Sequence, residues 1–351
     1  MKTILVALSV LFVAVAILSH YVFDSSLVTF ICSASALILL SKFMGEATEH
    51  LAHHVGESYA GLVNVSLGNL AELIIIFTAV RSGMIELVKA GIVGSVVGNT
   101  LLVMGISVIV ACRKGVVVKL KPETVALYIN QLFLVGAILI LPSVFSEHTP
   151  VDKRPMQSYL LAAMLSGAYV LYSIIFHRDE RMKLVHNQAS EAVKKTYNGW
   201  SGRRSIIILL VTSAVTFFVS DLLINEVEPI AHHFNLSNAM LGFMLLPLLG
   251  NVAEHFVAVT AAWKGLAELS LSVAVGSASQ VGMIVAPAAV LFGAIYGVEV
   301  TLDFSGLPFQ LLLITLVAAY IVLRDNQWRR SEGIMLLVCY LAIMLCFTFV
   351  N

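Results

Sequence analysis

Two glutamates stand where a carboxylate is costly. Glu72 and Glu254 lie inside long apolar runs, in the segments Gly68-Asn69-Leu70-Ala71-Glu72 and Gly250-Asn251-Val252-Ala253-Glu254. A charged carboxylate at the centre of a membrane span costs about 3 kcal/mol on insertion scales, and it persists where it serves an ion or a proton. The glycine of each segment lets a helix loosen or another backbone approach closely, and Pro247 adds a break in the second. A loosened helix frees carbonyl oxygens. Together with two carboxylates, the amides of Asn69 and Asn251, and water, these supply the roughly six to eight hard oxygen ligands that Ca2+ prefers. The Gly-Asn-x-Ala-Glu cores contain neither Cys nor His, which argues against copper or zinc there. Ser95 and Ser277 follow each glutamate by 23 residues, so the next antiparallel span returns them to similar depth. Asn99 and Gln280 come about one turn later; all four suit either an ion cavity or hydrogen bonding between helices.

The pair also sets the proton chemistry. Two carboxylates neutralise one Ca2+ in a low dielectric, and once the metal leaves, two like charges at close quarters raise each other's proton affinity. Protons and Ca2+ then compete for one site. If the empty, charged site cannot cross the apolar barrier, only loaded forms cross and exchange becomes obligatory.

The elements that must position these residues are membrane helices. Of 351 residues, 59% are hydrophobic and 12% charged, and the mean hydropathy is +0.94, outside the range of soluble domains. A formal net charge of zero suggests no nucleic-acid partner. Apolar runs predict eleven spans: Ile4 to Leu18, Leu27 to Ser41, Tyr59 to Val80, Ile85 to Cys112, Thr124 to Phe145, Met156 to Phe176, Ser205 to Ile224, Asn238 to Trp263, Ala267 to Ala294, Leu307 to Leu323, and Gly333 to Val350. With loops assigned alternately, seventeen Lys and Arg fall on the side of the N-terminus and four on the other. That asymmetry places the N-terminus in the cytoplasm and the C-terminus outside. The first run, with Ala14-Val15-Ala16 near its end, reads better as an uncleaved span than as a signal peptide. Cys32, Cys112, Cys339 and Cys346 have no metal-ligand spacing and read as packing residues.

A shift of 182 positions lays Leu67-Gly-Asn-Leu-Ala-Glu72 on Leu249-Gly-Asn-Val-Ala-Glu254 and continues, without a gap, through Gly94-Ser95 and Gly276-Ser277. The two glutamates fall in spans of opposite direction, so the halves are inverted. The expected fold is an all-α polytopic membrane protein. An extra N-terminal helix (1–24) precedes a first five-helix repeat (25–178), a cytoplasmic linker (179–204) and a second five-helix repeat (205–351). Inverted repeats around a midplane site are a transporter architecture.

These residues resemble the two signature repeats of the calcium/proton exchanger family, within the calcium/cation antiporter superfamily. The likeness extends through Ala47-Thr48-Glu49, Asn64, Asn99, Leu141-Pro142, Ser220-Asp221, Glu228-Pro229, Leu246-Pro247, Gln280 and Glu332-Gly333. It implies export of cytosolic Ca2+ driven by inward proton flow, with the signature glutamates as shared ligands and no cofactor. It also makes Glu49, Glu228, Asp221 and His255 candidates for the access pathway. Val65-Ser66-Leu67 and Ala71 depart from the family pattern, Ala71 removing a hydroxyl ligand, and the linker is basic where many members are acidic. A Na+/Ca2+ exchanger, or one carrying Mn2+ as well, would use the same scaffold. A homo-oligomer is allowed, and the membrane is the plasma membrane if the source is bacterial.

A weaker signal is the run from Glu46 to Glu57, where His50 and His54 stand one helical turn apart with Glu57 beyond. It is not HExxH, and a polar helix end accounts for it more simply than a metal site or a membrane metalloenzyme. His232-His233 reads as an extracellular loop pair. Glu86 and Glu268, at the starts of spans four and nine, suit the positive end of a helix dipole.

Overall fold

The computed structural model describes residues 2–55, 67–146, 148–178, 200–347 and 349, with the backbone alone at 2, 53 and 172–178. In chain order the helices are α1 (Lys2–Leu18), α2 (Ser26–His54), α3 (Leu70–Arg81), α4 (Ile85–Val97), α5 (Met104–Ala111), α6 (Pro122–Phe145), α7 (Arg154–Arg178), α8 (Gly202–Phe234), α9 (Asn238–Gly250), α10 (Val252–Trp263), α11 (Ala267–Gln280), α12 (Ala286–Tyr296), α13 (Leu307–Leu323) and α14 (Arg330–Phe347). The ladder of β1 (Val118–Lys119) and β2 (Gln327–Trp328) is antiparallel, with Val118 opposite Trp328. The molecule is a helical membrane protein. Among the described residues seven helical segments are long and apolar enough to cross a membrane, or eight if α9 and α10 form one broken span.

The expected eleven spans meet this count as follows. The beginning of the third, residues 59–66, lies outside the described residues, and so do the side chains at the end of α7. At 17 residues, α13 is apolar but short. The seventh span differs most: expected to end at Ile224, it continues as α8 to Phe234 through Pro229. His232 and His233 therefore sit in its last turn rather than in a loop, where the carbonyl end of the dipole favours them. The linker from 179 to 199, with its charges, lies outside the described residues.

The repeat is visible in the helix boundaries. Shifted by 182 positions, Leu70–Arg81 becomes Val252–Trp263, and the starts of α4 and α5 become those of α11 and α12. Gly83 and Gly265, in the turns after α3 and α10, both adopt a positive φ, 74° and 79°. Single-turn π-helices also match, Gly98–Val103 before α5 and Val281–Val285 before α12.

The chain divides into two compact units, each drawn from both halves of the sequence: Met1–Gly91 with Tyr197–Ala253, and Ile92–Thr196 with Glu254–Val350. In the first, α8 packs along α2, and α1 along α2. Met44, Ala47, Ala71 and Leu209 form one buried cluster there. Gly242 of α9 lets the backbone of α4 approach so closely that a Cβ would sit 2.4 Å from the Leu87 carbonyl oxygen. In the second unit α5 and α14 cross at Gly105 and Gly333, where a Cβ on Gly333 would lie 2.8 Å from the Gly105 carbonyl oxygen. Small residues at such crossings are how helices gain packing energy in lipid, which offers no hydrophobic drive between them. Ser143 and Ser158 accept the backbone N–H groups of Phe304 and Leu302, at 2.7 and 3.0 Å, and so tie down the segment before α13.

Gly242→Ala forces a methyl against backbone that cannot rotate away, an overpacking cost of about 1–3 kcal/mol or more. Size-exclusion profiles in detergent should show most of that variant aggregated, while Gly167→Ala, with open space around it, stays monodisperse; equal profiles would refute the packing argument.

Candidate functional site

Each signature glutamate sits at the third residue of a helix that begins just after a break. Asn69 (φ −92°, ψ 14°) precedes α3, and Asn251 (φ −115°, ψ 17°) separates α9 from α10. Both asparagines occupy the sparsely allowed bridge region between helix and strand. Pro247 sits inside α9, one turn before its end; it has no N–H to donate back to Phe243, and its own carbonyl accepts the Asn251 N–H at 3.1 Å. Glu72 and Glu254 therefore lie in first turns, where unpaired N–H groups and the helix dipole favour an anion.

The first compact unit holds Asn69, Glu72 and Asn251. Glu72 is 1% exposed and Asn69 1%, so neither carboxylate nor amide meets bulk water. Gly250 lies directly on Glu72: a Cβ there would be 2.8 Å from the Glu72 Cβ and 3.1 Å from its Cα. The backbone of the second signature thus packs on the carboxylate residue of the first, which only glycine allows. Asn251 is fully buried, and neither its amide nitrogen nor its oxygen has a hydrogen-bond partner among the described residues. A buried amide in that state costs free energy unless something accepts and donates to it, and a hydrated cation supplies both kinds of partner.

The second unit holds Ser95, Asn99, Glu254, His255, Ser277 and Gln280. Glu254 and His255 are half-buried. Asn99, inside the π-helical turn, donates from Nδ2 to the Ser277 hydroxyl at 3.1 Å, and its Oδ1 lies 3.1 Å from His255 Nε2. Three sequence-predicted residues are thereby joined in one buried chain from α10 through the turn before α5 to α11. Ser95 is fully buried and Gln280 half-buried.

The access candidates are dispersed. Glu49 and Glu228 are exposed. Asp221 is half-exposed and bonded to Arg81, whose guanidinium also covers the Phe217 ring. Sequence reasoning passed over Glu226, which is buried and accepts from His20 Nδ1 at 2.9 Å; its neighbour Glu228 faces outward. Among the described residues no three His, Cys, Asp or Glu form a metal cluster. His54 Nδ1 instead donates to the His50 carbonyl at 2.8 Å, and the His50 ring lies against Trp200, while Glu57 lies outside the described residues.

The family model described as sodium/calcium exchanger protein matches residues 25–177 and 204–349. A Ca(2+)/H(+) antiporter of Aphanothece halophytica is 33% identical over 359 residues, covering 97% of this chain and 95% of that protein. One from Synechocystis sp. is 32% identical over 356 residues, covering 94% and 93%. Among solved structures, native YfkE aligns with a TM-score of 0.85 at 24% identity, over 99% of this chain and 100% of that one; that likeness speaks to the fold.

Gly250→Ala pushes a methyl into Glu72 and should lower the apparent melting temperature in detergent by several degrees, whereas Gly68→Ala, at the equivalent place of the repeat but with nothing described within 4 Å, should leave it unchanged or slightly raised. The same shift in both variants would dispose of the asymmetry.

Proposed function

We propose that this chain, which belongs to the sodium/calcium exchanger protein family, exports cytosolic Ca2+ in exchange for protons, with Glu72 and Glu254 as the groups that bind each ion in turn. The observation that carries the reading is the repeated placement of a carboxylate in the first turn after a Gly-Asn helix break, once in each half. The names of the relatives at 32–33% identity support Ca2+ and H+ as the exchanged pair. Membership of an exchanger family supports reading it as a secondary transporter rather than an enzyme.

The chemistry follows from the ligands. Ca2+ takes oxygen ligands without strict geometry, and carboxylates, amide oxygens and break carbonyls are all hard donors. Asn69 and Asn251 are the nearest amides in sequence, with Ser95, Ser277, Asn99 and Gln280 as supporting groups. When Ca2+ leaves, the carboxylates take up protons, because charged carboxylates without a counter-ion are too costly in an apolar span. The repeats at 25–178 and 205–351 are the inverted halves, and exchange of their conformations opens the site alternately to each side. Glu49, Asp221, Glu228 and His255 lie along the routes to it. The positive-inside count puts the N-terminus in the cytoplasm of what, in a bacterium, is the plasma membrane.

Inverted membrane vesicles with an imposed proton gradient and no Na+ provide the test. Wild type should accumulate Ca2+ and lose it on addition of an uncoupler; Glu72→Gln and Glu254→Gln should each fall by at least about a hundredfold, since a neutral amide neither balances Ca2+ nor carries a proton. Normal uptake by both variants would sink the site. Uptake driven by a Na+ gradient but not by protons would replace the coupling ion.

A further inference from the structure

One helix reaches both signature breaks. On α2, Ser41, Gly45 and Thr48 stand at spacings of four and three, so they share one face. The Ser41 hydroxyl contacts the Leu249 carbonyl oxygen at 2.5 Å and shares its proton with the Leu37 carbonyl at 2.8 Å. The Thr48 hydroxyl donates to the Leu67 carbonyl at 3.4 Å. Leu67 and Leu249 are the same position of the repeat, each immediately before the Gly-Asn pair. Between the two hydroxyls, Gly45 lies so close to the chain that a Cβ would be 3.0 Å from the Cβ of Ala253, the residue before Glu254. Ser41 and Thr48 are 3% and 1% exposed, so water does not take over their bonds.

A helix that stops inside a membrane leaves its last carbonyls without intrahelical partners, and an apolar surrounding penalises each of them. The cheapest escape is to rebuild the helix through the break, which would turn the following glutamate about the axis. A hydroxyl from a neighbouring helix removes that incentive while leaving the second lone pair of the carbonyl unused. We propose that Ser41 and Thr48 are positioning residues for ion exchange: by holding the equivalent carbonyls of Leu249 and Leu67, they fix the register of both Gly-Asn breaks and of Glu254 and Glu72 after them. This inference rests on the ion-site reading given above. The unequal distances make Ser41 the stronger tether.

Ca2+ uptake into inverted vesicles, with half-saturation and maximal rate measured separately, tests it. Ser41→Ala should raise the half-saturating Ca2+ on the order of tenfold, the factor carried by a hydrogen bond of ordinary strength, and Thr48→Val about two- to threefold. Maximal rates should stay within about twofold, and Ser41→Thr and Thr48→Ser, which keep the hydroxyl, should bind Ca2+ like the wild type. Hydroxyls that merely help the chain fold would reduce the amount of protein and the maximal rate while leaving half-saturation alone; that pattern overturns the proposal. If Ser41→Ala does not accumulate in the membrane, Ser41→Cys, a weaker donor, should show an intermediate rise, and wild-type half-saturation there counts against the tether. Glu72→Gln in the same vesicles separates the two readings. Its normal uptake would overturn the ion site and the tether with it, whereas its inactivity beside unchanged half-saturation in Ser41→Ala and Thr48→Val would overturn the tether alone.

Discussion

The structure depends on keeping two helices broken inside a fold whose solvent is lipid. Every N–H and C=O left over at a break must find a partner within the protein, because the membrane provides none. At the second break Pro247 accepts from Asn251, and Leu249 accepts from Ser41; at the first, Leu67 accepts from Thr48. Glu72 and Glu254 lie in the first turns of α3 and α10, where backbone N–H groups lack the intrahelical acceptors of later turns. On the ion-site reading proposed above, the same defect makes backbone oxygens available for a hard cation and a carboxylate tolerable there. An unbroken helix would offer neither.

Close approach is the second constraint, and glycine meets it. Gly250 on Glu72, Gly242 on Leu87 and Gly45 on Ala253 bring α2, α3, α9 and the starts of α4 and α10 together within one unit. The second unit combines the same device, at Gly105 and Gly333, with a chain of polar groups from His255 through Asn99 to Ser277. Neither device is interchangeable with apolar packing. A larger residue at a glycine displaces backbone, and an apolar replacement within a hydrogen-bonded chain leaves its neighbours unpaired.

Much of this was legible in the sequence. The paired Gly-Asn-x-Ala-Glu segments marked where a helix could loosen, but the expected spans ran unbroken through them, from Tyr59 to Val80 and from Asn238 to Trp263; the structure starts α3 and α10 inside those spans, at positions the 182-residue shift relates. Hydropathy failed where polar residues continue a helix. Asn225, Glu226 and the Glu228-Pro229 pair read as the end of a span, yet α8 runs on past them, with His20 a partner for Glu226 as Arg81 is for Asp221 one turn earlier. No local pattern reveals a partner 140 or 206 positions away. Ser41 was invisible for the same reason: a serine in an apolar run says nothing about which distant carbonyl it meets. The π-helical turns were equally hidden, since they are a matter of hydrogen-bond register rather than of composition.

Those turns belong to the repeat. A π-helical turn closes its hydrogen bonds over five residues and so holds one residue more than the α-helical turn it replaces. Here the turns at Gly98–Val103 and Val281–Val285 fall at matching places, and the offset between the halves stays at 182 on either side of them. The extra residue is therefore accommodated at the same place in both halves. The side-chain amides beside the turns do not follow that symmetry: under the shift Asn99 pairs with Val281, and Gln280 with Gly98. The bulge is common to both halves, whereas the polar groups beside it are particular to each.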